Sequence, residues 1–204
     1  MLTSISRSRV TSAAACAVLC FSLLLGACSK SNTTGGPDQT DSPSTSSSPA
    51  RYVASVCASA AEWNRRLRQR GTDFSTKQAG VTDLNISRQN LVDYLDALAA
   101  DTDAFVGDVQ GAGVPPVKNG ASIEADALAG LRATAQSYRD AATQAGSLPT
   151  DDRTAFAVGV TTIAATIKQE VKATRTSLST VEDDKILGPL VRANADCTPP
   201  QGGA

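Results

Sequence analysis

Four stretches of this chain place an apolar residue at every third or fourth position, and little else in the sequence constrains the fold as strongly. Val53, Val56, Ala60, Trp63 and Leu67 form the first series. Leu91, Leu95, Leu98, Thr102, Phe105 and Val109 form the second. Ile123, Ala127, Leu131, Thr134, Tyr138, Ala142 and Ala145 form the third, and small residues predominate in it. The fourth is the longest: Phe156, Val160, Ile163, Ile167, Val171, Thr174, Leu178 and Val181. Residues so spaced share one face of an α-helix. A helix with one apolar stripe must bury it against another, and no stretch alternates with the period of two that a strand requires. The chain therefore reads as all-α: an antiparallel four-helix bundle with a short C-terminal helix.

Breakers and caps set the expected boundaries. Ser48-Pro49 offers a cap with proline at the first helical position, and Gly71 closes the first helix. Thr72 to Asn85 lacks a period and reads as a loop. Ser87 starts the second helix, with Ile86 and Leu91 at the spacing of a hydrophobic staple. Glycines and paired prolines from Gly111 to Gly120 interrupt it, and Asn119 is placed to cap the third helix. Thr134, the polar member of that stripe, can bond back to a carbonyl one turn earlier. After the turn Gly146-Ser147-Leu148-Pro149, Thr150 is placed to cap the fourth helix, with Asp151 and Asp152 in its first turn. The length of the fourth stripe makes that helix the expected centre of the core. Gly188-Pro189 breaks the chain again, and Leu190 to Asp196 forms the final helix.

The N-terminal region is of a different kind. Arg7 and Arg9 precede an apolar run from about Ala13 to Ala27, with no acid before it. This layout is that of a secretory signal, and the run is shorter than the ~20 residues needed to span a bilayer. Its end, Leu25-Gly26-Ala27-Cys28, resembles the lipobox of bacterial lipoproteins, with Gly26 where Ala or Ser is commoner. The resemblance implies removal of residues 1–27 and acylation of Cys28, which anchors the chain to the cell membrane on its extracytoplasmic face. Residues 28–50, rich in Ser, Thr, Pro and Gly, then form a disordered tether with a root-mean-square reach of roughly 25 Å. The helical domain covers 51–199, and 200–204 is a short tail.

Of five cysteines, Cys16 and Cys20 fall in the signal and Cys28 in the lipobox. Cys57 and Cys197 remain, one near each end of the domain. In an oxidising compartment such thiols pair, and Cys57–Cys197 is the expected disulfide, two free thiols being the alternative. It would close a loop of about 140 residues, which chain entropy values at roughly 5 kcal/mol as an upper figure.

The chain contains no histidine. A Ser-His-Asp or Cys-His site is excluded, and the commonest transition-metal ligand is missing. No Gly-rich phosphate loop opens a helix after a strand. The net charge of −1 gives none of the basic excess that nucleic acid requires. Two charged groups stand out: Arg65, Arg66, Arg68 and Arg70 beside Glu62, and the knot Glu182-Asp183-Asp184. The arginines are read as a solvated face, paired in part with aspartates of the second helix (Asp93, Asp96, Asp101, Asp103, Asp108). The acids are read as a helix end. Trp63 and Tyr138 are assigned to the core.

The domain resembles the small Ala-rich secreted proteins and lipoproteins of actinobacteria, on the strength of Cys57, Cys197 and the Gly-x-Pro-x-x-x-Asn-Gly-like loop from Gly113 to Gly120. That resemblance covers roughly 51–199 and implies no activity. The expectation is a non-catalytic, lipid-anchored binding or interaction module with no cofactor and no metal. Its partners are the membrane, through Cys28, and an envelope protein; no ligand-binding residue stands out. The alternative is a small-molecule carrier or envelope sensor with a site between helices near Trp63, Phe105 or Phe156.

Overall fold

The computed structural model describes residues 48–197, with the side chains of 173–178 excepted. The signal, Cys28, the tether and the tail lie outside the described residues, as do the side chains of Thr174 and Leu178 in the fourth stripe. Among the described residues five helices follow one another: α1 Pro49–Gln78, α2 Leu84–Ala112, α3 Gly120–Gly146, α4 Arg153–Asp183 and α5 Leu187–Ala193. Among the described residues there is no strand.

Side-chain contacts fix the directions. Arg70 reaches Asp101 while Phe74 stacks on Tyr94, so α1 and α2 run antiparallel. Arg139 pairs with Asp103, and Arg88 donates to the Leu148 carbonyl at 3.2 Å, so α3 reverses again. Gly159 of α4 sits against Leu148, and Ile163 joins Ala141 of α3 in one buried cluster. The result is the expected antiparallel bundle. α1 packs on α2, α2 on α3 and α3 on α4, while α5 bridges α4 and α1 at the end where α1 begins. Among the described residues, the α1–α4 seam lacks the close backbone approach of the other three.

The core divides along the bundle. Leu91, Leu95, Leu98, Tyr138, Ala142, Ala145 and Ile163 fill the end farther from Ser48. Phe105, Val106, Val109, Leu128 and Leu131 fill the middle, against Trp63. Tyr52, Val53, Cys57, Ile123 and Leu187 close the near end. α3 is the centre: twelve of its residues are buried. This corrects the expectation for α4, whose described side chains include only Ile163 in the buried core. The small residues of α3 explain the exchange. Ala127, Ala135, Ala141, Ala142 and Ala145 let α2 and α4 approach it closely, and Ala135 and Ala145 are fully covered.

Several boundaries differ from the sequence expectation. α1 continues through Gly71 to Gln78, because Phe74 extends the Leu67 face by two turns and stacks on Tyr94 at 4.6 Å. The loop expected from Thr72 to Asn85 is thus only the turn from Ala79 to Asp83. The α2 cap is Asp83, whose carboxylate accepts from the Asn85 N–H at 2.8 Å, and not Ser87. Ile86 is 52% exposed and staples nothing. Asn119 accepts through its backbone carbonyl but makes no side-chain cap. Asp152, not Thr150, caps α4, accepting from the N–H groups of Thr154 and Ala155. Thr150 instead donates to the Asn85 side chain, joining the two turns at the far end. α5 begins at Leu187 and so contains Gly188-Pro189; proline is tolerated in a first turn, where its missing N–H has no helical partner. At Gly188 a Cβ would lie 2.1 Å from the Glu182 carbonyl oxygen, so glycine is what lets α5 fold back on the end of α4.

Candidate functional site

Cys57 and Cys197 form a disulfide, with their Cα atoms 4.8 Å apart. Cys57 is placed by α1, one position from the Val56 stripe, and is 1% exposed. Cys197 lies beyond α5, in a turn built on Asn194, whose side chain accepts from the Asp196 N–H and whose carbonyl accepts from Cys197 N–H. The bridge therefore joins the start of α1 to the turn after α5, where Val181, Leu190 and Val191 complete the apolar cluster.

The arginine cluster is largely committed to carboxylates. Arg65 and Arg66 both donate to Glu62, at 2.6 and 3.0 Å. Hydrogen bonds from Arg65 and then Arg66 hold the Glu62 carboxyl down at about 2. Arg70 donates through Nε to Asp101 at 2.9 Å, and that contact raises the guanidinium further above its usual range. The expected pairing with α2 aspartates thus occurs at Asp101. Asp101 is only 7% exposed, because it faces α1. Arg68 stays exposed on the outer side of α1.

Asp184 of the acidic knot caps α5: its carboxylate accepts from the Ile186 and Leu187 N–H groups, each at 2.9 Å. Glu182 and Asp183 are exposed beside it. Among the described residues, no three metal-ligating side chains converge.

Trp63 lies against Phe105 with ring centroids 4.9 Å apart, and its indole N–H donates to Thr102 Oγ1. The Thr102 hydroxyl in turn donates to the Leu98 carbonyl at 2.8 Å. The Tyr138 hydroxyl is pushed up to about 12 by burial, with Tyr94 adding to the effect. Thr134 donates to the Gly130 carbonyl one turn earlier, as expected. A crevice of about 110 Å³ opens on the other side of the bundle, between α3 and α4. Ser137, Asp140, Gln144, Thr166 and Glu170 line it over a floor of Ala141 and Ile163. It involves none of the aromatic residues singled out in the sequence.

Sequence reasoning missed two features of the surface. The first is the incomplete cover of α4: Phe156, Val160 and Ile167 are half-buried, and Val171 is 41% exposed. The apolar spacing marked this stripe, but not that its neighbour α1 would stand off. The second is the pair of exposed tips Val114 and Ile186, at the end where α1 begins. Comparison with protein families, curated proteins and solved structures finds no match to the chain.

Proposed function

We propose that this chain is a lipid-anchored, extracytoplasmic interaction module without catalytic activity, held to the cell membrane through an acylated Cys28 and acting through an envelope protein partner. The anchor rests on Leu25-Gly26-Ala27-Cys28 at the end of an apolar run, ahead of a tether that leads to Ser48. The observation that carries the interaction is α4. Its Phe156, Val160, Ile167 and Val171 form a stripe that the rest of the bundle covers only in part. A partly covered apolar stripe on an exported domain is the kind of surface a protein partner packs against. The non-catalytic reading is supported by the carboxylates most engaged with basic groups. Glu62, Asp101 and Asp103 are occupied by Arg65, Arg66, Arg70 and Arg139 in ion pairs that join or brace helices.

The carrier reading has weaker support. Trp63 and Phe105 are stacked on each other. The crevice between α3 and α4, at about 110 Å³, is well below the ~300 Å³ at which pockets for small organic ligands begin.

Fractionation of cells tests the proposal. The wild-type chain is expected in the membrane fraction and open to protease added to spheroplasts, while Cys28→Ala leaves that fraction. A photo-crosslinking residue at position 171 should then give a discrete adduct that the same residue at the outward-facing position 136 does not. Recovery of the wild-type chain in the cytosol would contradict the anchor. Equal labelling from 136 and 171 would contradict the α4 surface.

A further inference from the structure

The two chain reversals nearest the tether carry exposed apolar side chains at their tips. Val114, in the α2–α3 connection, is 54% exposed, and Ile186, between α4 and α5, is 51% exposed. Neither position is accidental in its geometry. Val114 follows Gly113, whose φ of +75° turns the chain outward at the end of α2. The turn is closed by Gly120, where a Cβ would lie 1.9 Å from the Pro115 carbonyl oxygen. Ile186 is held by its own N–H, which the Asp184 carboxylate accepts. Both reversals rest on one rigid base, since Val117 of the first and Leu187 of the second pack into the cluster that contains the buried Cys57. Pro189 adds a further exposed apolar surface on the same end.

The chain outside the structure identifies what faces this end. α1 starts at Pro49, on this end of the bundle, and its cap Ser48 is where the tether from Cys28 arrives. The segment from Cys28 to this cap is about 20 residues, and its Ser, Thr, Pro and Gly content leads us to expect a reach of roughly 25 Å. α1 alone, at 30 residues, is about 45 Å long. So held, the near end stays close to the bilayer, whereas the far end is free to lie up to about 45 Å farther off. Two apolar tips would not bind a membrane by themselves. The tether removes that requirement, because it converts docking into an intramolecular event at high effective concentration.

We infer that the near end of the bundle, through Val114 and Ile186, docks on the outer surface of the membrane that anchors the chain, so that α4 is presented at a fixed height and angle. The inference rests on the anchor reading above. Exposed charges at this end are mixed: Arg51, Lys118, Lys185 and Arg192 are balanced in part by Glu182, Asp183 and Asp196. The contact is therefore apolar in origin, and 0.5 M salt should leave it in place.

The test uses the full chain extracted from membranes and reconstituted into phosphatidylcholine vesicles. An indole is introduced by Val114→Trp, Ile186→Trp or, as the control, Ile86→Trp, which has the same exposure at the far end. Emission is compared with the wild type in vesicles with and without brominated acyl chains, and intact mass reads the acyl groups on Cys28. Loss of the added emission at 114 and 186, with none at 86, is the expected result. Equal loss at all three positions, or loss at none, would overturn the docking. An unacylated mass with quenched tips would remove the anchor and leave the docking surface standing. An acylated mass with unquenched tips would do the reverse, and failure of both readouts would overturn both.

Discussion

Thr102 accepts from the Trp63 indole N–H and donates to the Leu98 carbonyl, so a polar residue inside an apolar stripe is fully used. Tyr138 is the residue with the clearest consequence for solution behaviour. Burial favours its neutral form and pushes the hydroxyl up to about 12. A raised pKa means that the folded state holds the proton more tightly than the unfolded one. Its contribution is thus fully present below pH 10 and is lost as pH rises from about 10 toward 12. Two pH units correspond to about 2 to 3 kcal/mol, as an order of magnitude. Urea unfolding at pH 9 and at pH 11.5 should show a steeper loss for the wild type than for Tyr138→Phe. Parallel losses would contradict this account of Tyr138. Tyr52 and Tyr94 are raised in the same direction, chiefly by burial, and contribute the part of the slope that remains.

Among the elements, helix type and order were legible in the sequence because three-four spacing encodes a face directly. What spacing does not encode is how completely a neighbour covers that face. Leu131, from the small-residue stripe of α3, is 1% exposed, whereas Val171, in an equally regular series on α4, is 41% exposed. Leu131→Ala is therefore expected to cost about 2 to 5 kcal/mol in chemical denaturation, and Val171→Ala less than about 0.5 kcal/mol. Similar losses for the two would return α4 to the centre of the core. Boundaries were lost where side chains decide between competing caps. Ser87 was a plausible start, but Asp83 lies four residues earlier and its carboxylate reaches Asn85 N–H. The run from Thr72 to Gln78 contains residues common in loops, and only Phe74 signals that the helix continues. Its partner Tyr94 is remote in sequence, so a local reading undervalues it. Of the candidate site, the cysteine pair was legible from counting, once Cys16, Cys20 and Cys28 were assigned to the expected signal and lipobox. The tips Val114 and Ile186 were not, since exposure is a property of the folded chain.

At the scale of the whole molecule, the disulfide and α5 do together what a direct α1–α4 contact would otherwise do. They close the bundle at the end where α1 begins, and beyond it, among the described residues, α1 and α4 lack close backbone approach. Replacing both cysteines, as Cys57→Ser with Cys197→Ser, should lower stability by about 2 to 5 kcal/mol. Amide exchange should rise first in α5 and at the start of α1, because those are the segments the bridge joins. Uniform exchange throughout would show that the bridge does not act as a local closure. The proposed anchor, tether, docked end and presented α4 stripe would form one arrangement, and its most direct test is the intact mass of the protein extracted from membranes, before and after reduction, beside Cys28→Ala. The account predicts a chain that begins at Cys28, carries acyl groups and gains two hydrogens on reduction. A mass without acyl groups, or one that keeps residues 1–27, would contradict the anchor; a mass unchanged by reduction would contradict the bridge.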